Sequence, residues 1–286
     1  MTVIRALDDR DATTLADFLT SRIETSIFLR SNSIKSGLTD GDRPYHGAYV
    51  GAFEEGTLVG VAAHYWNGMI ILQAPRYVEQ LVKEVMEVSS RPLAGVIGPL
   101  AQALEALSAL GVSRDELTAD SPEILYSLSL DALRIPPRRD GQELKASPPR
   151  EEDFDQLVEW TLAYEQEALG VAVTPARRAH VSTRLVRAIN EGALYVMTDH
   201  DVLVSQTGFN SEVPGIVQIG GVWTPPHLRG RGYARTIVAR HLITARDRGV
   251  EKAILFTAHD NLPAQKAYES LGFERIGDYA IMLLNA

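Results

Sequence analysis

The sequence predicts an α/β protein of two similar halves, each a mixed β-sheet flanked by helices. The chain has 286 residues, of which 45% are hydrophobic, and this suits two domains of ordinary size. A short strand, an acidic turn and an amphipathic helix occur at 3–19 and again at 144–158. Between them, 135–141 holds two prolines, three charged residues and a glycine, a composition typical of a linker. We therefore predict domains at 1–138 and 139–286.

The composition argues against several classes of function. Cysteine is absent, which excludes a disulfide framework, a thiolate zinc site and a cysteine nucleophile. The formal net charge of −9 disfavours nucleic-acid binding. The seven histidines do not have the spacing of metal ligands, so we expect no metal. The chain does not begin like a signal peptide, and we expect a cytoplasmic protein.

One uncharged stretch imitates a membrane span. Residues 56–75 contain no Asp, Glu, Lys or Arg. The stretch is interrupted by Asn67-Gly68, a dipeptide typical of hairpin turns. We interpret it as two buried strands and expect no membrane association.

The remaining elements of the first half follow from the spacing of apolar residues and from turn signals. Glu54-Glu55-Gly56 predicts a turn between strands at 48–53 and 58–65. A helix at 77–88, a strand at 93–97 and a helix from Pro99 to Gly111 come next.

The second half has the order β-α-α-β-β-β-α-β-α-β-β, which predicts a mixed sheet with helices on its faces. After the strand and helix at 144–158, the predicted elements are a helix at 175–192, strands at 194–197, 202–207 and 216–224, a helix at 231–248, a strand at 253–257, a helix at 263–271, and strands at 273–276 and 280–284.

The segment 222–234 is the most informative one for function. A strand ends there, and Arg229-Gly-Arg-Gly232 opens a helix. Free N–H groups and the positive end of a helix dipole can bind a pyrophosphate. Gly230 and Gly232 allow the backbone to approach such a ligand, and Arg229 and Arg231 add charge. The segment fits neither a Walker loop nor a dinucleotide fingerprint, and a basic turn that starts a helix is the ordinary alternative.

A second motif follows about thirty residues later, where Asn261-Leu-Pro-Ala-Gln-Lys-Ala-Tyr268 leads into Leu271-Gly-Phe273. With Arg229-Gly-Arg-Gly-Tyr-Ala234, this order and spacing resembles the GNAT acetyltransferase superfamily. Residues 220–232 are most similar to its FR47-like branch. The resemblance implies a tandem GNAT architecture with a degenerate N-terminal copy and a catalytic C-terminal domain that binds acetyl-CoA.

The resemblance also implies roles for individual residues. The backbone of the strand at 222–224 would pair with the pantetheine arm and polarise the thioester carbonyl. The helix start would hold the pyrophosphate, Asn261 would face the pantetheine arm, and Tyr268 matches the family's general acid. A core tyrosine on a short helix is the alternative for Tyr268. The predicted acetyl-CoA-binding residues are Val222, Trp223, Thr224, Arg229, Gly230, Arg231, Gly232, Tyr233, Ala234, Asn261, Ala264 and Tyr268.

The general base is the least defined part of the site. Glu165 falls on the apolar stripe of the first helix of the second half, where burial is expected to raise its pKa. Glu167 beside it and Glu212, in the turn before the strand at 216–224, are further candidates. A water chain or an amine that arrives neutral is the alternative. We expect His227 to lie near the phosphates.

The first half does not repeat these motifs. We take 95–102 as its counterpart of the glycine turn, and this segment has no arginine and has Pro99 where an N–H group would be useful. We therefore expect the first half to pack against or shape the acceptor site without binding acyl-CoA.

These observations lead to a hypothesis of function. The chain would transfer acetyl from acetyl-CoA to a primary amine of a small molecule or amino acid, by direct attack in a ternary complex. A longer acyl-CoA, as in glycine N-acyltransferase-like enzymes, and a regulatory acyl-CoA-binding module without turnover are the alternatives. We expect a monomer or homodimer.

Overall fold

The computed structural model describes residues 1–119, 122–137 and 141–284. It divides into two compact units, Met1–Ile124 with Gly277–Ala286, and Leu125–Ile276. The predicted domain boundary, between residues 138 and 139, lies outside the described residues. The end of the chain belongs to the first unit, which the sequence did not predict.

The elements of the first part of the chain are β1 (Thr2–Ala6), α1 (Ala12–Thr20), α2 (Ile23–Ser36), β2 (Gly47–Glu54), β3 (Thr57–Tyr65), β4 (Met69–Gln73), α3 (Val78–Ser89), β5 (Gly95–Pro99), α4 (Leu100–Ala109), β6 (Leu117–Ala119) and β7 (Pro122–Ser129). Those that follow are β8 (Leu144–Ser147), α5 (Phe154–Leu169), α6 (Pro175–Asn190), β9 (Leu194–Asp199), β10 (Val202–Val213), β11 (Ile216–Trp223), α7 (Tyr233–Asp247), β12 (Lys252–Ala258), α8 (Leu262–Ser270) and β13 (Glu274–Leu284).

The first unit contains a mixed sheet in the order β1-β2-β3-β4-β5-β13. β4 and β5 are parallel and the other neighbours are antiparallel. The uncharged stretch forms β3 and β4, joined by a turn at Asn67-Gly68 as predicted, and Gly68 has a φ of +76°. None of the described helices has the length and apolar character that a membrane crossing requires.

The second unit contains a mixed sheet in the order β7-β12-β11-β10-β9-β8. β11 and β12 are parallel, and β8 to β11 are antiparallel. The predicted succession of elements is confirmed up to α8. The two closing strands predicted at 273–276 and 280–284 are wrong, because β13 is one strand. Gly277 and Asp278 continue its extended backbone, so no turn divides it.

α5 and α6 cover one face of the second sheet. Thr174 starts α6 by accepting a hydrogen bond from the Arg177 backbone N–H (3.1 Å), and Pro175 occupies the first helical position, as its fixed φ favours. Apolar side chains on both helices pack with Trp223 of β11 in one core. The members of that core include Leu157, Val158, Trp160, Leu162, Val181, Leu185 and Leu194.

His241 lies on α7 between two aromatic rings of the sheet. Its ring centroid is 4.3 Å from that of Tyr195 and 3.7 Å from that of Phe209, and both pairs are stacked. The side chain is 1% exposed, and neither ring nitrogen has a partner among the described residues. Burial, with a smaller contribution from the Arg248 charge, lowers the pKa of His241 from 6.5 to about 3. The folded state therefore holds this imidazole neutral.

We predict that His241 makes the fold sensitive to acid. Because the pKa of His241 is lower in the folded state, its unfolded form takes up a proton first, and stability falls as the pH drops from 6.5 towards 3. His241→Phe fits the same stack and removes this loss. Urea unfolding should show the wild type losing about 1.4 kcal/mol more than the variant per pH unit below 6. The exposed His227→Gln should behave like the wild type, and equal acid sensitivity in His241→Phe would contradict the prediction.

Candidate functional site

The parallel pairing of β11 and β12 ends before either strand does. It runs from Ile216↔Lys252 to Ile219↔Leu255, and no later pair joins the two strands in the described chain. β11 continues through 220–223 on β10 alone, and β12 continues to Ala258. The backbone groups of the end of β11 that face β12 are therefore left open to a ligand.

A β-bulge lies in β11 at this opening. Gln206 pairs with Trp223 and Gly208 with Gly220, so β11 holds one residue more than β10 between these pairs. Gly221 takes up the extra residue with a φ of +61°, which glycine adopts without strain. A bulge turns backbone groups away from the regular ladder, and bulges are frequent beside active sites.

Buried polar side chains hold the bulged end of β11. Gln206 Nε2 lies 3.4 Å from the Gly221 carbonyl and 3.5 Å from Thr161 Oγ1 of α5. Ser205 Oγ donates to the Trp223 carbonyl (2.8 Å) and lies 2.9 Å from Thr224 Oγ1. Sequence reasoning missed these residues. The available signal was the polar run Ser-Gln-Thr at 205–207 directly after the apolar start of the strand, and all three are buried.

The glycine turn connects the end of β11 to α7. Gly230 and Gly232 have φ values of +77° and +83°, and Gly232 is the N-cap of α7. No side chain caps this helix start. The N–H groups of its first turn therefore lack intrahelical partners and, with the helix dipole, suit an anion. Ala234 is half-buried in that turn, and the Arg231 side chain is exposed.

Arg229 does not extend from the turn as a free cation. Its Nε donates to the Thr224 carbonyl (3.0 Å) and its Nη2 donates to Glu167 Oε2 on α5 (2.9 Å). Its guanidinium carbon lies 4.8 Å from the centroid of the Trp223 ring. Arg229 thus fixes the turn against the end of β11 and the end of α5.

Tyr233 anchors the start of α7. Its hydroxyl donates to Asp199 Oδ2 (2.6 Å) at the end of β9, and the side chain is buried. Burial and then this hydrogen bond raise the pKa of Tyr233. The Tyr233 side chain is therefore bonded within the protein. Only its backbone N–H is left for the predicted contact with acetyl-CoA.

α8 carries the second motif. Asn261 Oδ1 accepts a hydrogen bond from the Ala264 N–H (3.2 Å), so the Asn261 side chain caps α8. Both residues were predicted to bind acetyl-CoA, and this hydrogen bond uses the side-chain oxygen of one and the backbone N–H of the other. Tyr268 is buried on the same helix, with its ring edge-to-face against Phe273 at 6.0 Å. The catalytic role of Tyr268 stays a prediction.

The expectation of a raised pKa for Glu165 is wrong. The carboxylate is buried, but it accepts hydrogen bonds from Arg177 Nε (2.7 Å) and from Arg184 Nη2. Burial alone would raise the pKa of Glu165, but the two arginines outweigh it and the pKa lies below its ordinary value of 4.5. Glu165 therefore ties α5 to α6 and is a poor proton acceptor.

The two other carboxylates differ in position. Glu212 pairs with Val217 near the start of β11 and forms an ion pair with Arg248 (3.3 Å). At about 3.3 Å per residue, it lies roughly 20 Å along the strand from Trp223, too far to serve the same site. Glu167 lies at the open end of β11 through its bond to Arg229.

Metal ligands are not grouped in the described parts of the chain: no set of three or more His, Asp and Glu side chains there could hold a metal ion. His227 lies directly before the glycine turn, in the short helix Pro226–Leu228, and its side chain is exposed. Its predicted place near the phosphates stays a prediction.

The counterpart of the glycine turn in the first unit differs from the one predicted. By element order, β4-α3-β5-α4 corresponds to β11-α7-β12-α8, so the counterpart is the segment 74–77 between β4 and α3. The predicted segment 95–102 comprises β5 and the start of α4.

Protein groups occupy this counterpart site in the first unit. Gln102 Oε1 on α4 accepts a hydrogen bond from the Ala74 N–H (2.7 Å), directly after β4. Tyr77, with a φ of +62°, is the N-cap of α3, and its hydroxyl donates to Glu54 Oε1 (2.7 Å). The residue that starts α3 is therefore tied to a carboxylate through its side chain.

A sequence model described as the acetyltransferase (GNAT) family matches residues 143–273. Residues 143–273 belong to the GNAT acetyltransferase family. The matched segment contains the parting strands, the bulge and the glycine turn. A search of curated proteins gives no significant match.

Solved structures extend the likeness of fold beyond the GNAT segment. A Drosophila protein has a TM-score of 0.66 at 12% identity, over 99% of this chain and 99% of its own. A GCN5-related N-acetyltransferase from Sphaerobacter thermophilus has a TM-score of 0.61 at 16% identity, over 98% and 94%. A tandem GNAT protein from the clavulanic acid biosynthesis pathway has a TM-score of 0.58 at 13% identity, over 99% and 97%. At these identities the structures show the fold, which is that of two GNAT-like domains.

We predict that Glu165→Gln destabilises the protein at neutral pH by about 3 kcal/mol, because two guanidiniums lose a buried carboxylate. Since the folded pKa of Glu165 is lowered, its contribution is present above pH 4.5 and is lost as the pH falls through the folded value. Urea unfolding from pH 7 to pH 3 should therefore show the deficit of the variant shrinking.

The control is Glu159→Gln, which breaks an exposed ion pair with Arg178 between the same two helices and should change stability little. Wild-type stability in Glu165→Gln, with loss of the acidic limb of the pH–rate profile, would instead restore Glu165 as the base.

Proposed function

We propose that the chain is an N-acetyltransferase that transfers the acetyl group of acetyl-CoA to a primary amine of a small molecule or amino acid. The GNAT fold supports acyl transfer in general. The choice of acetyl-CoA as the acyl donor rests on one observation. The pairing of β11 with β12 stops beside the start of α7, which no side chain caps. An open strand edge suits the amide groups of a pantetheine arm, and a helix start suits a pyrophosphate.

The fit of acetyl-CoA is supported by the open end of β11 and by the start of α7. The backbone groups at 220–223 that face β12 are not paired with it, and they would be offered to the arm. The N–H groups at the start of α7 and the exposed Arg231 offer donors and charge to the phosphates. Arg229 would act mainly by fixing the turn, since Thr224 and Glu167 already engage it.

The proposed reaction is direct attack of the amine on the thioester. The amine nitrogen forms a bond to the carbonyl carbon, the carbon–sulfur bond breaks, and the thiolate takes a proton from Tyr268. The nitrogen loses its extra proton to water, and water returns a proton to Tyr268. A backbone N–H of the bulged segment would polarise the carbonyl oxygen, and a preorganised donor of this kind stabilises developing negative charge.

We propose that the amine reacts in its neutral form, without a carboxylate base among the three predicted. Glu165 is bonded to two arginines and Glu212 lies at the far end of β11. Glu167 would order the glycine turn through Arg229. The enzyme would then contribute orientation and carbonyl polarisation.

Several finer points belong to the same proposal. The first unit would not bind acyl-CoA, because Gln102 and Glu54 occupy the corresponding places. The FR47-like branch, a preference for a longer acyl chain, a cytoplasmic location and a monomeric or dimeric state stay predictions.

The test is release of free thiol from acetyl-CoA across a panel of primary amines, with Tyr268→Phe as the diagnostic variant. Wild-type protein should release thiol with at least one amine. Tyr268→Phe should bind CoA normally and turn over about 10²–10⁴-fold more slowly, because only the proton donor is lost.

Tyr126→Phe is the matched control. It also removes a buried hydroxyl beside α8, one that donates to Glu269 Oε1 (2.9 Å), and it should keep the wild-type rate. CoA binding without thiol release under any amine would favour the regulatory module. An unchanged rate in Tyr268→Phe would show that another group protonates the thiolate.

A further inference from the structure

Three basic side chains share one flank of α6. Arg177, His180 and Arg184 are spaced three and four residues apart, which places them on one face of the helix. The face lies beside the buried side of α6, which Val181 and Leu185 provide. We call these three residues the α6 basic cluster.

Glu165 holds two members of the cluster in place. Its two carboxylate oxygens accept from Arg177 Nε and Arg184 Nη2, one oxygen for each arginine. Burying this carboxylate requires one compensating positive charge, and the site supplies two. The cluster therefore keeps an excess of one positive charge, 2 − 1, in a chain whose formal net charge is −9.

Each arginine uses one N–H group on Glu165 in these bonds. A guanidinium presents further N–H donors in a fixed planar fork. Because the carboxylate already fixes the orientation of both side chains, these donors are arranged before a ligand arrives. Such preorganisation lowers the entropy that binding costs.

The cluster lies close to the opening in the sheet. Thr161 is one helical turn before Glu165 on the same face of α5, which separates the two by about 6 Å. Thr161 Oγ1 lies 3.5 Å from Gln206 Nε2, which in turn contacts the Gly221 carbonyl in the bulge (3.4 Å). The Thr161 and Gln206 side chains thus connect the α6 basic cluster to the bulged segment of β11. A small acceptor could span the distance between the cluster and the backbone N–H that is proposed to polarise the thioester.

His180 reports the electrostatic potential of the cluster. Burial lowers the pKa of His180, and the charges of Arg177, Arg184 and Arg187 lower it further, against the opposing charge of Glu165. The potential at the imidazole therefore stays positive in spite of the carboxylate.

We propose that the acceptor amine carries a carboxylate and that Arg177 and Arg184 of the α6 basic cluster bind it. The inference rests on the proposed function. A carboxylate matches the fork of a guanidinium through paired, charge-assisted hydrogen bonds. An acceptor held in this way would present its amine towards the bulge. Glu165 would act as a positioning residue that orients the two arginines.

The experiment compares amines that differ in the anionic group alone. Thiol release is measured with glycine against glycinamide, and with ethanolamine phosphate against ethanolamine, each rate being corrected for the fraction of neutral amine. Wild-type protein should favour glycine over glycinamide by at least about tenfold in kcat/KM, because the amide has no negative charge to pair with the remaining guanidinium donors. If the preference for ethanolamine phosphate over ethanolamine is larger, the acceptor's anionic group is a phosphate and the proposed carboxylate is wrong. If neither pair shows a preference, the proposal of an anion site is overturned.

Arg184→Gln and Arg177→Gln are the diagnostic variants. Each should reduce the preference for glycine about tenfold or more, with the effect in KM, while the rate on glycinamide changes little. Arg178→Gln is the matched control: Arg178 lies on the opposite flank of α6 and donates to both oxygens of the exposed Glu159 (2.5 and 3.1 Å). A preference unchanged in Arg184→Gln and Arg177→Gln, or equally lost in Arg178→Gln, would contradict the assignment.

A second measurement separates this inference from the proposed function. The ring protons of His180 are titrated by NMR in wild-type protein with glycine or glycinamide, without acetyl-CoA. Binding of the carboxylate should raise the pKa of His180, because it offsets the arginine charges, and glycinamide should leave it unchanged. A response to glycine without thiol release from any amine would sustain the anion site and reject the acetyltransferase. Thiol release with neither a glycine preference nor a change in the pKa of His180 would support the acetyltransferase and reject the anion site.

Discussion

β11 and β12 are held together by backbone pairing as far as Ile219 and Leu255, and the proposed site depends on the place where that pairing stops. Two parallel strands that continued in register would satisfy each other's N–H and C=O groups and leave nothing for a ligand. The bulge at Gly221 turns the end of β11 away from the ladder. Gln206 and Ser205 then hold its carbonyls from the side of β10. The opening is therefore maintained by buried polar contacts.

The first unit has a similar topology with different groups at its strand ends. Its β4 and β5 are also parallel, and their pairing stops after three register pairs, compared with four between β11 and β12. In the first unit, however, Gln102 accepts a hydrogen bond from the Ala74 N–H directly after β4. Its helix start carries Tyr77 in place of a glycine, and the carboxylate of Glu54 lies against that tyrosine. Under the proposed function, a few groups at the strand ends decide which unit binds acyl-CoA, because the two units share the arrangement of the sheet.

Local patterns in the sequence predicted most of the fold and the position of the glycine turn, because periodicity and turn residues act over short distances. Such patterns could not predict which side chains meet when they are far apart in the sequence. Glu165 was correctly placed on a buried stripe, but its pKa is decided by Arg177 and Arg184, which lie 12 and 19 residues later. Glu212 is near the glycine turn in sequence and far from it along the hairpin. The undivided β13 could not be foreseen, since it pairs with β5, which lies far earlier in the sequence.

The most direct test of the account is calorimetry of CoA binding to wild-type protein, Gly232→Asp and Gly215→Asp. Wild-type protein should bind one CoA per chain. An aspartate at Gly232 places a negative charge at the start of α7, where it repels phosphate, and should abolish binding. Gly215 has nearly the same φ (+82° against +83°) at the opposite end of β11, so its aspartate variant carries the same strain and charge and should bind normally. Two equivalent sites per chain, or wild-type affinity in Gly232→Asp, would contradict the account.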